Sequence, residues 1–530
     1  MKVLLTLSFI LLSSGFCFSQ DHYLPLNREW SLRYEPSLYT LDSDAHTAIK
    51  PYRYQLVSKH LNVDSLDNYP LKSSKFNNSL FGKKLRQENF FEVKEDDFQL
   101  MLNPLFSFGT AKESDVNNNY VINTRGIWIK GNIGKHLSFS TKAHENQQEF
   151  AQYIDSTIAE NSVVPGFGRI KRFKRGGYDY TNVSGSVSYT LDKYFNFHFG
   201  YDKNFIGDGY RSLLLSDNAY NYTFFKINTR VWKINYTNLY MWMQDLTRPF
   251  ETQRLFKRKY AALHYLDVNI GKRLTVGLME NVVWSNDTID NRGFDINYLN
   301  PILFLRPLEY SLGSPDNVVL GLNTKYKVSN SLSLYGQILL DEFRIDEFRS
   351  SDNWWGNKFG YQLGFKSFNI FDIDNLHFQS EFNLVRPYTY SHKNSFQNYG
   401  HFNQSLAHPL GANFWEFITI TNYRYNRLLL EGKIMYAKVG YDTDSTNYGH
   451  NIFLSYETRP SEYGIELLQG DETSIVFLAL KTAYLINPKT NMRAYLEINS
   501  RSAKHEKFTT DDLIMSFGLK TSLYNTYHDF

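Results

Sequence analysis

Polar side chains and tyrosines concentrate in one stretch of the sequence, residues 200–220. Gly207 and Gly209 allow the backbone there to adopt angles that other residues avoid. Carboxylates, amides and a guanidinium could hydrogen-bond sugar hydroxyls, and tyrosine rings could cover the faces of sugar rings. The side chains that we predict to bind a glycan are Tyr201, Asp202, Lys203, Asn204, Asp208, Arg211, Asp217 and Asn218, with Tyr210 and Tyr220 as further rings. The alternative is that the stretch folds inside the protein and its charges neutralise one another.

A second candidate is the basic run at residues 169–175. Its five cations in seven residues are Arg169, Lys171, Arg172, Lys174 and Arg175. Such a run, with aromatic residues interleaved, suits an anionic partner, although a solvated loop is the alternative. The preceding stretch, 145–160, has apolar residues at helical spacing and predicts a short helix.

The sequence carries no recognisable catalytic or metal-binding motif. A Gly-x-Ser-x-Gly turn, a phosphate-binding Gly-Lys-Ser/Thr loop and a His-Glu-x-x-His helix are all missing. Asp341 and Glu342 form the best carboxylate cluster, but neighbouring residues on a strand point to opposite faces unless a bulge intervenes. An ion pair with Arg344 or another cation is therefore favoured over an acid–base pair. We predict no enzyme, no metal site and no cofactor.

The elements that must carry these residues have the period of β-strands. From residue 97 onward, segments of about ten residues alternate apolar and polar side chains. In one segment, Leu332, Leu334, Ile338 and Leu340 share a face. The same pattern recurs in residues 376–384, 492–499 and 513–524.

The identity of the two faces decides the fold class. An apolar face can be the core of a soluble sandwich, or it can meet lipid in an outer-membrane barrel whose polar face lines the lumen. The polar faces carry both charge signs with Tyr, Gln and Asn, aromatic residues cluster toward strand ends, and the last strand runs almost to Phe530. These features predict an all-β fold, a transmembrane antiparallel barrel of about 18–20 strands over residues 96–530. A large secreted β-sandwich or propeller is the alternative.

The connections between the strands also fit a barrel. Short turns and long polar segments alternate along the chain, as periplasmic turns and extracellular loops do. Our segmentation gives 20 strands if a short strand lies at 463–468, and 18 if one marginal pair is lost. The stretch 202–218 then falls on the extracellular side. Its apolar triplet 213–215 predicts that it folds inward against neighbouring loops.

The N-terminus predicts export. Residues 1–19 have a positive start, an apolar core from Val3 to Leu12 and a cleavage point before Gln20, as in a signal peptide. A lipid-modified Cys17 fits less well because bulky Phe16 precedes it. Residues 20–95 lack sustained alternation and predict a small periplasmic or plug region with helical structure, with a mobile lead-in as the alternative.

Hydropathy and net charge exclude some classes of partner. The chain has 530 residues and a mean hydropathy of −0.44, and no apolar run beyond the N-terminus is long enough for a spanning helix. A net charge of +3 and a pI near 8.4 are too mild to indicate a nucleic acid. We predict an outer-membrane location and contact with outer-membrane lipid.

Several motifs resemble the Wzi-like capsule-assembly family. The block Gly200–Ala219, with its Ser-Leu-Leu-Leu-Ser-Asp-Asn-Ala end, is similar to that family's signature. Asn300-Pro301, Asp316–Gly321 and Tyr335–Phe343 match further along the chain, and His46–Tyr52 resembles a gliding-motility branch that includes RemB. The family has a tryptophan in the glycine turn, where this sequence has Ile206 and Asp208 on either side of Gly207.

The resemblance implies a barrel of about 18 strands with a helical periplasmic plug. It implies binding or anchoring of surface polysaccharide, with other cell-envelope or motility proteins as further candidate partners, and no catalysis. Our first hypothesis is therefore a surface-polysaccharide binder or motility-associated anchor. A substrate-specific outer-membrane channel is the second hypothesis, and an outer-membrane hydrolase is the third.

Overall fold

Eighteen antiparallel strands close into a barrel in the computed structural model of the chain. The structure describes residues 21–67, 69, 73–114, 119–173, 176–246, 256–286, 293–301, 316–350, 352–521 and 524–530, so the predicted signal peptide lies outside the described residues. The barrel strands are β1 Phe98–Glu113, β2 Asn119–Ile133, β3 Leu137–Gln148, β4 Gly177–Thr190, β5 Phe195–Asp202, β6 Tyr222–Val231, β7 Ile234–Asp245, β8 Lys257–Ile270, β9 Leu274–Ser285, β10 Asn317–Lys327, β11 Leu332–Glu342, β12 Lys358–Phe368, β13 Leu376–Val385, β14 Phe414–Tyr425, β15 Leu428–Tyr441, β16 Asp471–Asn487, β17 Met492–Lys504 and β18 Thr509–Lys520. β18 pairs with β1 and closes the ring.

The period of two decides which side chains face outward. In β11, Leu334 and Ile338 are exposed on the outer surface, whereas Tyr335, Gln337 and Leu339 are buried toward the lumen. An outward apolar face and a polar lumen are what a membrane-spanning barrel requires. The predicted fold class is confirmed.

The connections differ in length at the two ends of the barrel. The short-turn end carries residues 134–136, 191–194, 232–233, 271–273, 328–331, 369–375, 426–427 and 488–491. The described parts of the long-loop end include residues 149–173, 203–221, 352–357, 386–413 and 442–470. The predicted strand at 463–468 is wrong. The backbone N–H groups of Gly464 and Ile465 donate to loop carbonyls of Asp352 and Asn353 instead of joining the sheet.

Helices are few and short. They are α1 Arg28–Ser31, α2 Glu35–Leu38, α3 Tyr54–Ser58, α4 Lys75–Asn78, α5 Leu80–Arg86, α6 Gln152–Asn161 and α7 Ile345–Ser350, with 3-10 turns at Val63–Asp67, Ile296–Leu299, Ile370–Asp372, Ser395–Gln397 and Tyr456–Thr458. α6 confirms the helix predicted near 145–160. None of the helices in the described part of the chain is long and apolar enough to cross a membrane.

Short strands supplement the barrel. Phe91–Lys94 pairs with the start of β1, and Lys171–Phe173 pairs with β4. Two pairs lie apart from the wall: Ile49–Lys50 joins Phe205–Ile206, and Gly400–His401 joins Gln404–Ser405.

Residues 21–67 lie inside the barrel, toward its short-turn end. Glu35 pairs with Lys366 of β12 at 2.9 Å, and Lys327 of β10 donates to the carbonyls of Thr40 and Ser43. Other residues of the segment make polar contacts with the wall on other sides, at Asn196, Asp267, Glu431 and Arg493. The segment therefore touches lumen-facing residues around most of the circumference.

The prediction that the last strand runs almost to Phe530 is wrong. β18 ends at Lys520, and residues 524–530 enter the lumen. The Asp529 carboxylate lies 2.7 Å from the Lys433 ammonium, and the Tyr527 hydroxyl donates to Asp217. These polar contacts are available inside the barrel and would be lost if the tail continued along the lipid-facing wall.

Candidate functional site

The stretch between β5 and β6, residues 203–221, folds into the lumen. Ile206 pairs with Ile49, and its N–H donates to the Leu215 carbonyl. The triplet Leu213–Leu215 is fully buried, as predicted, in a core shared with residues of several strands and of the 386–413 loop: Val283, Val319, Leu339, Val385 and Leu406. Apolar burial therefore holds this stretch inside the barrel.

Arg211 is the most heavily paired residue of this stretch. Its Nη2 lies 2.9 Å from Glu416 Oε1 and 3.0 Å from Asp529 Oδ1, and the side chain is 1% exposed. The backbone N–H groups of Tyr210 and Arg211 donate to the Glu381 carboxylate. Burial alone would lower the pKa of Arg211, but Asp529 and Glu416 raise it well above its ordinary value. The guanidinium stays charged and ties the stretch to β14 and to the chain's last residues.

Asp208 joins the stretch to the N-terminal segment. Its carboxylate accepts hydrogen bonds from the hydroxyls of Tyr39 and Thr47. Burial alone would raise the Asp208 pKa, but Lys325 and Lys50 lower it to about 2. The carboxylate is therefore ionised at neutral pH and is bound by two hydroxyls of the N-terminal segment.

The remaining polar residues of the stretch also bind protein groups. Lys203 Nζ donates to the Gly166 carbonyl at 2.7 Å, and burial lowers its pKa to about 8. The Asn204 amide oxygen accepts from Lys226, Asp217 accepts from Tyr527, and the Asn218 amide donates to the Ser405 carbonyl. This arrangement favours the alternative of an inward stretch with neutralised charges. Glycan binding by these residues stays a prediction.

Tyr201 lies apart from that buried group, whereas Asp202 adjoins it and accepts the backbone N–H of Lys203. Both are partly exposed at the end of β5. The Tyr201 ring lies 6.0 Å from the Tyr220 ring, and Tyr220 packs against Phe402 at 5.0 Å. Tyr201 shares the outward face of β5 with exposed Phe199. The structure therefore does not bring this ring together with the buried polar groups.

The basic run lies at the long-loop end. Arg169, Lys171 and Arg172 are exposed, whereas Lys174 and Arg175 lie outside the described residues. The Arg172 guanidinium lies 5.6 Å from the centre of the Tyr178 ring. Three accessible cations, two of them beside aromatic rings, form a surface that can meet an anionic partner.

The carboxylates at 341 and 342 hold a buried cation. A bulge shifts the register between Leu340 and Glu342, so both carboxylates reach the same ammonium. Lys358 Nζ lies 3.1 Å from Asp341 and 3.3 Å from Glu342. Asp341 also accepts the Tyr390 N–H. The bulge is the exception that the sequence left open, and the cation that pairs with both carboxylates is Lys358.

Sequence reasoning missed the largest open space in the lumen that we describe. A cavity of about 340 Å³ extends from α1 to α6 along β1–β4 and β15–β18. Its charged lining residues include Arg28, Glu29, Glu149, Glu431, Lys433, Lys481, Arg493, Glu497, Lys520 and Asp529, and its tyrosines include Tyr120, Tyr153, Tyr180, Tyr495 and Tyr524. The alternation in these strands predicted that polar side chains line the lumen. It could not predict that a cavity remains between them. Mixed charges and rings can hydrogen-bond and stack a polyhydroxylated ligand.

Metal chemistry finds no support in the described part of the chain. No group of three or more His, Cys, Asp or Glu side chains there is placed to hold an ion. Ion pairs and hydrogen bonds with protein groups account for the acidic residues described above.

The fold and the filled lumen define a plugged 18-stranded β-barrel of the outer-membrane type. The chain is similar over 95% of its length to all of Wzi, described as an outer-membrane protein involved in group 1 capsule assembly in Escherichia coli and a carbohydrate-binding β-barrel, with 13% identity and a TM-score of 0.55. OprD of Pseudomonas aeruginosa matches 79% of this chain over 94% of its own, with 12% identity and a TM-score of 0.41. No family model and no curated protein matches the sequence. At these identities the likeness concerns the fold alone.

Proposed function

We propose that this protein is an outer-membrane barrel that binds surface polysaccharide at its long-loop end and does not act as an open channel. The filling of the lumen carries the proposal. Residues 21–67, 203–221, 386–413 and 524–530 all occupy it, and buried ion pairs and apolar contacts hold them to the wall. The similarity in fold to a carbohydrate-binding barrel supports the choice of ligand class.

The exposed basic run is the proposed contact for the polysaccharide. Arg169, Lys171 and Arg172 project at the long-loop end, whereas most of the polar residues at 202–218 are occupied by protein groups. Lysine and arginine side chains bind carboxylate or sulfate groups through charge-assisted hydrogen bonds. An acidic polysaccharide is therefore the favoured ligand.

A matched pair of variants tests this site. Lys171→Ala with Arg172→Ala removes two cations from the run, and Lys504→Ala with Lys507→Ala removes two exposed cations from the same end. We expect the first pair alone to reduce retention of acidic surface polysaccharide, at equal surface levels of protein. Equal retention in both double variants would contradict the proposed contact.

A substrate-specific channel is the second candidate, because a cavity of about 340 Å³ leaves part of the lumen open. Planar-bilayer recordings separate the two, since a plugged barrel passes little current and a channel shows steady openings.

The hydrolase hypothesis predicts glycan or lipid hydrolysis that Asp341→Ala or Glu342→Ala abolishes. The gliding-motility branch remains a prediction, to be tested by motility of the same variants.

A further inference from the structure

A small helical hairpin stands at the short-turn rim of the barrel. This rim hairpin, residues 73–90, contains α4 and α5 and leads directly into the short strand Phe91–Lys94. The Ser74 and Ser79 hydroxyls cap the two helices by accepting the N–H groups of Asn77 and Gly82. A Cβ atom at Gly82 would lie 1.8 Å from the Phe76 carbonyl oxygen, so the close approach of the two helices requires glycine there. The hairpin is thus a built element with specific contacts.

Its apolar side chains face away from the rest of the protein. Leu80 is 84% exposed, Phe81 69% and Phe90 61%. Phe76 is also exposed and packs edge-on against Phe81. Exposed apolar side chains that cluster in this way mark a surface that contacts lipid or another apolar surface.

The next strand shows where this surface lies. Phe91 pairs with Leu102 of β1, and Val93 pairs with Leu100. Directly paired residues share a face, and the even-numbered residues of β1 face outward, as exposed Phe108 does. The strand therefore continues the lipid-facing wall. The hairpin joins this strand and is fixed to the rim by Asn487 of β16, whose amide donates to the carbonyls of Lys84 and Glu88 at 2.9 Å each.

Cations flank the apolar side chains. Lys75 and Lys83 are exposed, and Lys84 pairs with Glu88. A short amphipathic element with lysines beside phenylalanine and leucine is typical of segments that lie in the membrane interface, where lysine meets lipid phosphate.

We propose that the rim hairpin anchors the short-turn end in the adjoining membrane leaflet. Phe76, Leu80, Phe81 and Phe90 enter the boundary between headgroups and acyl chains, and Lys75 and Lys83 bind phospholipid phosphates. Continuity with the lipid-facing wall and the flanking positive charge favour a lipid surface over a protein partner. This role is independent of polysaccharide binding at the other end of the barrel.

Spin labels at single cysteines test the depth of the hairpin. Cys17 is the only cysteine in the sequence, so a Cys17→Ser background accepts one label at a chosen site. Leu80→Cys reports on the hairpin, Leu480→Cys on the exposed outer face of β16, and Ser65→Cys on an exposed turn of the N-terminal segment. The full-length variants are reconstituted in vesicles of phosphatidylethanolamine and phosphatidylglycerol. Collision rates with oxygen, which enriches in lipid, and with a water-soluble nickel chelate are then compared.

We expect the Leu80 label to favour oxygen by several-fold, as the Leu480 label does, and the Ser65 label to favour nickel. A Leu80 label that behaves like the Ser65 label would overturn the proposal. A Leu80 label shielded from both reagents would also overturn it, because a protein surface or a second copy would then cover the hairpin. In the same vesicles, Lys75→Ala with Lys83→Ala should shift the Leu80 label toward nickel.

Discussion

The Arg211 guanidinium and the Asp529 carboxylate lie 3.0 Å apart in the lumen, both almost fully buried. One belongs to the stretch between β5 and β6, and the other follows β18. Glu416 of β14 completes the contact on the other side of the guanidinium. A single arginine thus joins the lumen stretch, the wall and the tail, and its loss should affect all three.

Replacing Arg211 with methionine should destabilise the barrel strongly. Glu416 and Asp529 would remain buried without their cation, a change that costs about 3–5 kcal/mol in proteins. Arg230→Met is the control, because its partner Asp44 is mostly exposed and such pairs contribute about 0–1 kcal/mol. Denaturant unfolding in detergent measures both. Similar small losses in the two variants would contradict the role assigned to Arg211.

Acid should weaken the contact between the lumen stretch and the N-terminal segment. The pKa of Asp208 is lowered from 3.8 to about 2, because Lys325 and Lys50 outweigh the effect of burial. A carboxyl with a depressed folded pKa stabilises the fold above its unfolded pKa and loses that contribution as the pH falls through the folded value. The loss should fall between about pH 4 and about pH 2 and amount to about 2 kcal/mol.

The free energy of unfolding, measured across this pH window, tests the assignment. Asp208→Asn should flatten the decline, whereas Asp64→Asn, which removes an exposed carboxyl, should leave it unchanged. An Asp208→Asn profile as steep as that of the wild type would rule out Asp208 as the source.

Removing the Glu29 carboxylate should loosen the N-terminal segment within the lumen. Glu29 pairs with Lys481 and with buried Arg493, so Glu29→Ala removes both of these ion pairs. We expect trypsin to cut within residues 21–67 faster than in the wild type, as followed by mass spectrometry. Glu88→Ala, which removes a half-exposed pair with Lys84, should not change the rate. Unchanged cleavage in Glu29→Ala would show that other contacts hold the segment.

Deleting residues 524–530 should make the barrel conduct. These residues line the cavity, and their removal takes the Asp529 carboxylate from Lys433 and Arg211. We expect little current from the wild type and anion-selective openings from the deletion, because the lumen becomes wider and more positive. Asp529→Asn keeps the tail and should shift selectivity with a smaller rise in conductance. Steady large openings of the wild type would contradict a plugged lumen.

The sequence predicted the wall far better than the contents of the lumen. Each strand is long enough for a period of two to repeat several times, so β11 could be recognised from its own residues. The helices within 21–67 have four or five residues, too few to show a helical period. The carboxylates that pair with the Arg211 guanidinium belong to residues 205 and 318 positions further along the chain, and spacing in a single sequence cannot indicate such pairs.

The N-terminal segment in the lumen affects how the barrel can fold. Lys366 and Arg493 project into the lumen, and the carboxylates that pair with them, Glu35 and Glu29, belong to residues 21–67. Without that segment, the wall would close around the Lys366 ammonium without the Glu35 carboxylate, and a buried pair broken in this way is strongly destabilising. We therefore expect the N-terminal segment to enter the lumen before β18 pairs with β1 and closes the barrel.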